Sequence, residues 1–167
     1  MFLLSLQRLY TAKEMKYKIL FVCLGNICRS PMAEFVMKDI VRKAGLEHEF
    51  EIASAATSTY EIGNPVYPPA RQKLAEHGID CKGKTARQIT KRDYDYYDYI
   101  IAMDNSNISN LRKMFSNDPD GKFSMLMSYT SRHSEVADPW YTRDFEATWK
   151  DVTEGCNALL EWLKTKD

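Results

Sequence analysis

A thiol, a guanidinium and a carboxyl group stand out in this chain. Cys23 opens the run Cys23-Leu24-Gly25-Asn26-Ile27-Cys28-Arg29-Ser30, and Asp138 lies far downstream in Asp138-Pro139-Trp140-Tyr141. A cysteine at a helix N-terminus and beside an arginine is favoured as its thiolate, the nucleophilic form. The Ser30 hydroxyl is placed to donate its hydrogen to that sulfur. The planar fork of Arg29 matches two oxygens of a phosphoryl group. The N–H groups of Leu24, Gly25, Asn26, Ile27 and Cys28 are available to the same oxygens, which spread outward as phosphorus becomes trigonal bipyramidal. Gly25 and Asn26 suit a backbone that turns sharply through positive φ. This pattern predicts thiolate attack on phosphorus inside an anion cradle. An alkoxide or aryl oxide leaves better when protonated, and a general acid contributes about 10²–10⁴-fold. Asp138, stiffened by Pro139, is the candidate. Asp-Pro is also a turn dipeptide, as in Asp118-Pro119, and spacing alone does not choose between the two roles.

The elements around these residues must hold them together. Residues 18–22 are apolar and β-branched and read as a buried strand. Ser30 suits a helix N-cap and Pro31 its first position. Met32, Phe35, Val36 and Ile40 then recur at helical spacing, and Gly45 closes the helix. Residues 50–56 form the next strand. The cradle therefore sits at the carboxyl end of a parallel strand in a βαβ unit, where open α/β sheets bind ligands. Residues 57–69 are a loop carrying Tyr60 and Tyr67, residues 70–77 a short helix ended by Gly78, and residues 85–97 a polar, tyrosine-rich stretch. A third strand covers residues 99–103. Residues 104–107 cap a helix running to about residue 115, and residues 117–121 form a turn. A fourth strand covers residues 122–127, and residues 128–141 are a loop. The final helix spans residues 145–163, with a stripe of Trp149, Val152, Cys156, Leu159, Leu160 and Leu163 that Gly155 interrupts. The alternation predicts one three-layer α/β/α domain around a four-stranded parallel sheet.

The chain has 167 residues, which suits one domain, and its 23 basic residues balance 23 acidic ones. That balance offers no electrostatic argument for nucleic acid or an anionic membrane as partner. The four cysteines include no CxxC pair, and His48, His77 and His133 are scattered. No metal site, cofactor or disulfide framework is predicted, and reduced thiols point to the cytoplasm. Residues 1–14 lack the basic start and sustained apolar core of a signal peptide. They are too short to span a bilayer. They read as an extension outside the core, with Met15 opening a domain over residues 15–167. A monomer is expected, with weak dimerisation allowed.

The run from Val22 to Pro31, together with Asp138-Pro139-Trp140-Tyr141, resembles the low-molecular-weight protein tyrosine phosphatases. The likeness runs from Met15 onward and includes Ser54-Ala55-Ala56, Gly63, His77-Gly78-Ile79, Ala86-Arg87-Gln88-Ile89-Thr90 and Met103-Asp104. It implies a cofactor-independent, two-step hydrolysis of protein phosphotyrosine through a phosphocysteine. Cys23 would be the nucleophile, Arg29 the phosphate clamp, and Asp138 the general acid and then base. It implies that Asn26, Ser30, Ser54 and His77 brace the loop by hydrogen bonds. Leu24, Ile27, Tyr60, Trp140 and Tyr141 would wall the substrate ring, with Trp140 standing where the family often has Tyr. It also implies a reversible Cys23–Cys28 disulfide that protects the nucleophile from overoxidation.

Three alternatives stay open. Arsenate reductases of similar fold need further cysteines for a disulfide relay, and residues 104–115 carry none. Related phosphoarginine phosphatases tend to carry Thr where this chain has Ile27. A non-catalytic phosphate-binding module would not need Cys23, Arg29 and Asp138 together.

Overall fold

A computed structural model describes residues 15–166. Residues 1–14, read as an extension, lie outside the described residues. Four strands form one parallel sheet: β1 (Tyr17–Cys23), β2 (Phe50–Ala56), β3 (Tyr99–Ala102) and β4 (Phe123–Met125), in the order β2-β1-β3-β4. β1 pairs with β2 along its whole length, from Tyr17 opposite Phe50 to Cys23 opposite Ala56. On its other edge Val22 lies opposite Ala102 of β3.

Among the described residues the α-helices are α1 (Arg29–Lys43), α2 (Pro68–Glu76), α3 (Lys91–Tyr96), α4 (Asn105–Met114), α5 (Pro139–Thr142) and α6 (Phe145–Lys164). Side chains alternate across a strand, and β1 divides accordingly. Tyr17, Ile19, Phe21 and Cys23 join a core with Met32, Val36 and Met37 of α1, Leu74 of α2, and Val152, Leu159 and Leu163 of α6. Leu20 and Val22 face the opposite way, into a core with Tyr94 of α3 and Leu111 of α4. Both faces of the sheet are therefore covered, and the architecture is the three-layer α/β/α sandwich predicted.

Several boundaries differ from the sequence reading. α1 begins at Arg29, with Cys28 rather than Ser30 at the N-cap position. Pro31 is the third helical residue, still within the first turn, where its missing N–H has no intrahelical partner to lose. Two short helices lie within stretches read as irregular. α3 carries a reciprocal capping box between Thr90 and Asp93, and α5 is capped by the Asp138 carboxylate. A 3₁₀ turn over Leu126–Tyr129 shortens the fourth strand. Gly155 has a packing reason inside α6. A Cβ there would stand 2.5 Å from Leu126 Cγ, so only glycine lets that helix sit against the 3₁₀ turn.

The strand order places the loop after β1 and the loop after β3 side by side. The chain crosses from β1 to β2 on one side and returns to β3 on the other, so the two carboxyl ends flank a crevice where the winding direction changes.

Candidate active site

The loop after β1 is tied down on every side. Thr57 N–H donates to Cys23 O at 3.0 Å, Ser58 N–H to Leu24 O at 3.1 Å and Tyr67 N–H to Ile27 O at 2.9 Å. Asn26 holds the turn, with φ of 59° in a region that asparagine enters more readily than most residues. Its carboxamide makes three bonds: Nδ2 donates to Ser30 Oγ at 2.8 Å and to Ser54 Oγ at 2.9 Å, while Oδ1 accepts from Arg87 N–H at 3.2 Å. The result is a small-radius loop whose backbone wraps one point.

That point is the Cys23 sulfur. Cys23 is buried at 3% exposure. Its Sγ accepts from Asn26 N–H at 3.3 Å and lies 3.0 Å from Ser30 Oγ. Ser30 already receives a hydrogen from Asn26, so its own hydroxyl hydrogen is free for the sulfur. Helix α1 starts here without a side-chain cap and with no acidic residue in its first turn, which leaves its positive end open to an anion.

Arg29 is buried at 3% exposure yet anchored from behind. Nη1 donates to Asp104 Oδ2 at 2.7 Å and to Val136 O at 2.9 Å, and Nη2 reaches Asp138 Oδ2 at 3.5 Å. Burial works against its charge, but the Cys23 sulfur, Asp104 and Asp138 outweigh that and hold it firmly protonated. Asp104 serves two elements. Its Oδ1 caps α4 by accepting Asn107 N–H at 2.8 Å, while Oδ2 orients Arg29. In the sequence Asp104 reads as a helix cap and as part of the Met103-Asp104 likeness, and its link to Arg29 had no local signal.

The loop before α5 is stitched to the end of β3 by Val136 N–H donating to Met103 O at 3.0 Å. This delivers Asp138 to the crevice. Its Oδ1 accepts Trp140 N–H at 3.0 Å and Oδ2 faces Arg29. A cavity of about 220 Å³ opens over the sulfur, lined by Cys23 through Arg29, Tyr60, Glu61, Asp138, Trp140 and Tyr141. Tyr60 and Tyr141 are each 78% exposed, whereas Trp140 is 42% exposed. Trp140 packs against Tyr67 at 5.0 Å between ring centroids and against the Arg143 guanidinium at 5.4 Å. Ile27 and Leu24 complete the apolar lining. Leu24 through Arg29 and the wall residues Tyr60, Trp140 and Tyr141 meet in this one cleft, whereas Ser30, fully buried, lies behind it and touches the cleft only through the sulfur; Glu61 is an addition the sequence reading missed.

Cys28 also lines the cleft. Burial, then the neighbouring Cys23 and Asp138, push its thiol up to about 12 against the pull of Arg29. Cys81 and Cys156 are buried in the core, and all four cysteines are free thiols.

His77 is a correction. It was expected to brace the loop, but it is exposed just beyond the end of α2, and its ring stacks on Trp149 of α6 at 3.9 Å. The brace behind Ser54 is instead Glu34, whose Oε1 accepts the Ser54 hydroxyl at 2.6 Å. Lys84 joins it, 3.4 Å from Glu34 Oε1 and donating to Ser54 O at 2.8 Å. Sequence periodicity marks a charged residue as a solvent-facing one, which is why Glu34, only 4% exposed, escaped notice.

Among the described residues, no group of three or more His, Cys, Asp or Glu side chains is placed to hold a metal ion. No helix there is long and apolar enough to cross a membrane.

The family model for low molecular weight phosphotyrosine protein phosphatase matches residues 18–167. The chain is 42% identical over 144 residues to the low molecular weight protein-tyrosine-phosphatase YfkJ of Bacillus subtilis, covering 85% of this chain and 92% of that one. It is 41% identical over 155 residues to the low molecular weight phosphotyrosine protein phosphatase of Gallus gallus, covering 90% and 97%. The crystal structure of YfkJ superposes with a TM-score of 0.88 over 93% of this chain and 99% of that one, at 38% identity. The Drosophila arginine phosphatase DARP superposes at 0.82 with 32% identity over 90% and 99%.

Proposed function

The chain belongs to the low molecular weight phosphotyrosine protein phosphatase family, and from that membership and the site geometry we propose that it hydrolyses phosphotyrosine monoesters on proteins through a phosphocysteine. The single observation that carries this reading is the convergence of the Cys23 sulfur, the Arg29 guanidinium and the Asp138 carboxyl group on one cleft.

In the first step the Cys23 thiolate attacks phosphorus and the bond to the tyrosyl oxygen breaks. Asn26 N–H and the Ser30 hydroxyl hold the sulfur aimed before attack. Nη1 of Arg29 is occupied by Asp104 and Val136, so Nε and the Nη2 hydrogen not directed at Asp138 remain for phosphoryl oxygens. The loop N–H groups and the open end of α1 take the rest of the charge, donors fixed in place before the charge develops. A protonated Asp138 donates to the departing phenolic oxygen. In the second step a water attacks the phosphocysteine and gives its proton to Asp138. The S–P bond breaks, and inorganic phosphate leaves.

The walls choose the substrate class. Leu24, Ile27, Tyr60, Trp140 and Tyr141 surround the entry with apolar and aromatic surface that suits an aryl ring. The thiol of Cys28, neutral at rest, is the partner for a sulfenic acid that an added peroxide forms on Cys23 by two-electron oxidation: the Cys28 sulfur attacks it, the S–S bond forms and water departs. No cysteine besides these two lines the cleft, which weighs against a disulfide-relay arsenate reductase. The free thiols suit a reducing compartment such as the cytoplasm.

The test is metal-free turnover of p-nitrophenyl phosphate and a phosphotyrosyl peptide by wild type, Cys23→Ser and Asp138→Ala. Cys23→Ser should be inactive and Asp138→Ala slower by about 10²–10⁴-fold on the peptide. Residual turnover by Cys23→Ser would overturn the mechanism. Preferential hydrolysis of a phosphoarginyl peptide would overturn the substrate assignment.

A further inference from the structure

The Asp138 carboxyl group caps α5, a single turn of four residues. So short a helix does not hold its own shape in water. The turn itself aims the carboxyl: Trp140 N–H donates to Oδ1 at 3.0 Å, which leaves Oδ2 to carry a proton. The contact of Oδ2 with Arg29 Nη2 at 3.5 Å does not preserve that aim through the first step. Asp138 is then protonated and uncharged, and Arg29 is turned to the phosphoryl group. Tyr141, 78% exposed, adds little packing. Pro139 anchors the start of the turn by burial, and the remaining support is the Trp140 ring.

That ring is held by a residue from another loop. Tyr67 packs against Trp140 at 5.0 Å between ring centroids, and Phe145, the first residue of α6, lies 6.1 Å from the same tyrosine ring. Arg143 closes the assembly. Its Nη1 donates to the Tyr67 hydroxyl at 3.1 Å, and its guanidinium stands 5.4 Å from the Trp140 centroid, where the face of the ring attracts a cation. Arg143 ends α5 in the left-handed region, with φ of 62°. Asp144 beside it caps α6 by accepting Ala147 N–H at 2.9 Å. Tyr67 is itself fixed. It precedes Pro68, which confines it to extended backbone, and its φ of −56° and ψ of 134° agree. Its N–H donates to Ile27 O of the phosphate loop at 2.9 Å. Tyr67 thus grips the phosphate loop with its backbone and the acid-bearing turn with its ring.

We propose that Tyr67, clasped by Arg143, is a positioning residue for the Asp138 general acid. It fixes the Trp140 ring, and through the Trp140 N–H the carboxyl, at a set distance from the phosphate loop. The inference rests on the reading of Asp138 as the acid. A positioning role has a selective signature. Nitrophenolate leaves readily as an anion, whereas phenolate, like the tyrosyl oxygen, needs a proton as it departs. Misplacing the acid therefore harms phenyl phosphate more than p-nitrophenyl phosphate. A damaged binding wall harms both alike. Tyr67→Ala keeps the N–H that bonds Ile27 O, so the phosphate loop keeps its tie while the acid-bearing turn loses its support.

The experiment measures kcat/KM, which covers the steps up to release of the phenol, for both substrates in wild type, Tyr67→Ala, Tyr67→Phe, Arg143→Met and Asp138→Ala. A thermal melt shows that each variant is folded. The readout is the preference for p-nitrophenyl phosphate over phenyl phosphate. Tyr67→Ala should raise that preference at least about tenfold, since a small misplacement of a reacting group costs up to about 10²-fold. Tyr67→Phe, which keeps the ring against Trp140, should restore most of the wild-type preference. Arg143→Met should raise it about threefold. A folded Tyr67→Ala that loses equally on both substrates, or on neither, overturns the proposal, as does a Tyr67→Phe as selective as Tyr67→Ala. If Tyr67→Ala does not fold, Arg143→Met, at an exposed position, decides the matter, and an unmoved preference there overturns the proposal too. Failure of the parent reading looks different: Asp138→Ala itself would leave the preference at the wild-type value.

Discussion

Two helix N-termini meet across the crevice, and they are built in opposite ways. α4 begins with a full capping box, in which Asp104 accepts Asn107 N–H and Asn107 accepts Asp104 N–H. α1 begins with no side-chain cap and no acid in its first turn. A cap typically stabilises a helix by about 1 kcal/mol, so the bare end forgoes stabilisation that the other receives. The first-turn N–H groups of α1 are kept for a ligand, and those of α4 are satisfied internally. Arg29 joins the two, since it belongs to the bare end and is held by the acid that caps the other. A functional anion site is thus recognisable by a missing cap beside a strand end, and its neighbour's complete cap supplies the rigid support.

This contrast can be broken in graded steps. Arg29→Lys removes the forked donors at the bare end and should lower kcat/KM by about 10²–10³-fold, measured with p-nitrophenyl phosphate. Cys28→Asp would give α1 the acid that α4 has. Like charge in the cradle should weaken competitive inhibition by inorganic phosphate by more than about tenfold, and unchanged inhibition would show that the bare end is not where phosphate binds. Asp104→Asn keeps an oxygen to cap α4 but loses the charge that orients Arg29. It should lower kcat about tenfold while the melting temperature moves little. A large loss of stability with normal activity would reverse the roles assigned to the two carboxylate oxygens.

The smallest effect concerns pH and stability. Burial opposes the Asp93 charge, but two hydrogen bonds from Arg87 and the Thr90 N–H outweigh it and hold the carboxyl below the usual range. Asp118 is likewise lowered, where burial is outweighed by the N–H groups of Phe123 and Lys122 and the Tyr94 hydroxyl. A folded-state value below the unfolded one contributes stability above the unfolded value, and that contribution is lost as pH falls. Urea unfolding midpoints should therefore drop as pH falls below about 4, and Asp118→Asn should flatten that slope.

Much of this was legible before the fold was known, because the relevant signals are local. The apolar run into Cys23, the helical spacing from Met32 and the caps around Asp104 each follow from nearest-neighbour chemistry, and together they place the cradle on a βαβ unit. What escaped was long-range. The partnership of Arg29 with Asp104 joins the loops after two neighbouring strands that lie far apart in the chain, and the burial of Glu34 depends on how Ser54 and Lys84 close over α1. His77 shows the converse. Its place in a familiar stretch suggested support for the loop, but its ring packs on α6. The capping box of α3 is an exception, since Thr90 and Asp93 stand at the required spacing in the sequence. The N-cap rule misread α1 because Ser30 spends its hydroxyl on the Cys23 sulfur rather than on its own helix.

The central claim is that phosphate passes through Cys23. Asp138→Ala, which lacks the base for the second step, should be mixed with p-nitrophenyl phosphate, acid-quenched within one turnover and digested for mass spectrometry. The account predicts the mass of one phosphoryl group on the peptide containing Cys23, assigned to that sulfur by fragmentation and absent from the Cys23→Ser form. Continued product release with phosphate on a different side chain, or on none, would contradict it.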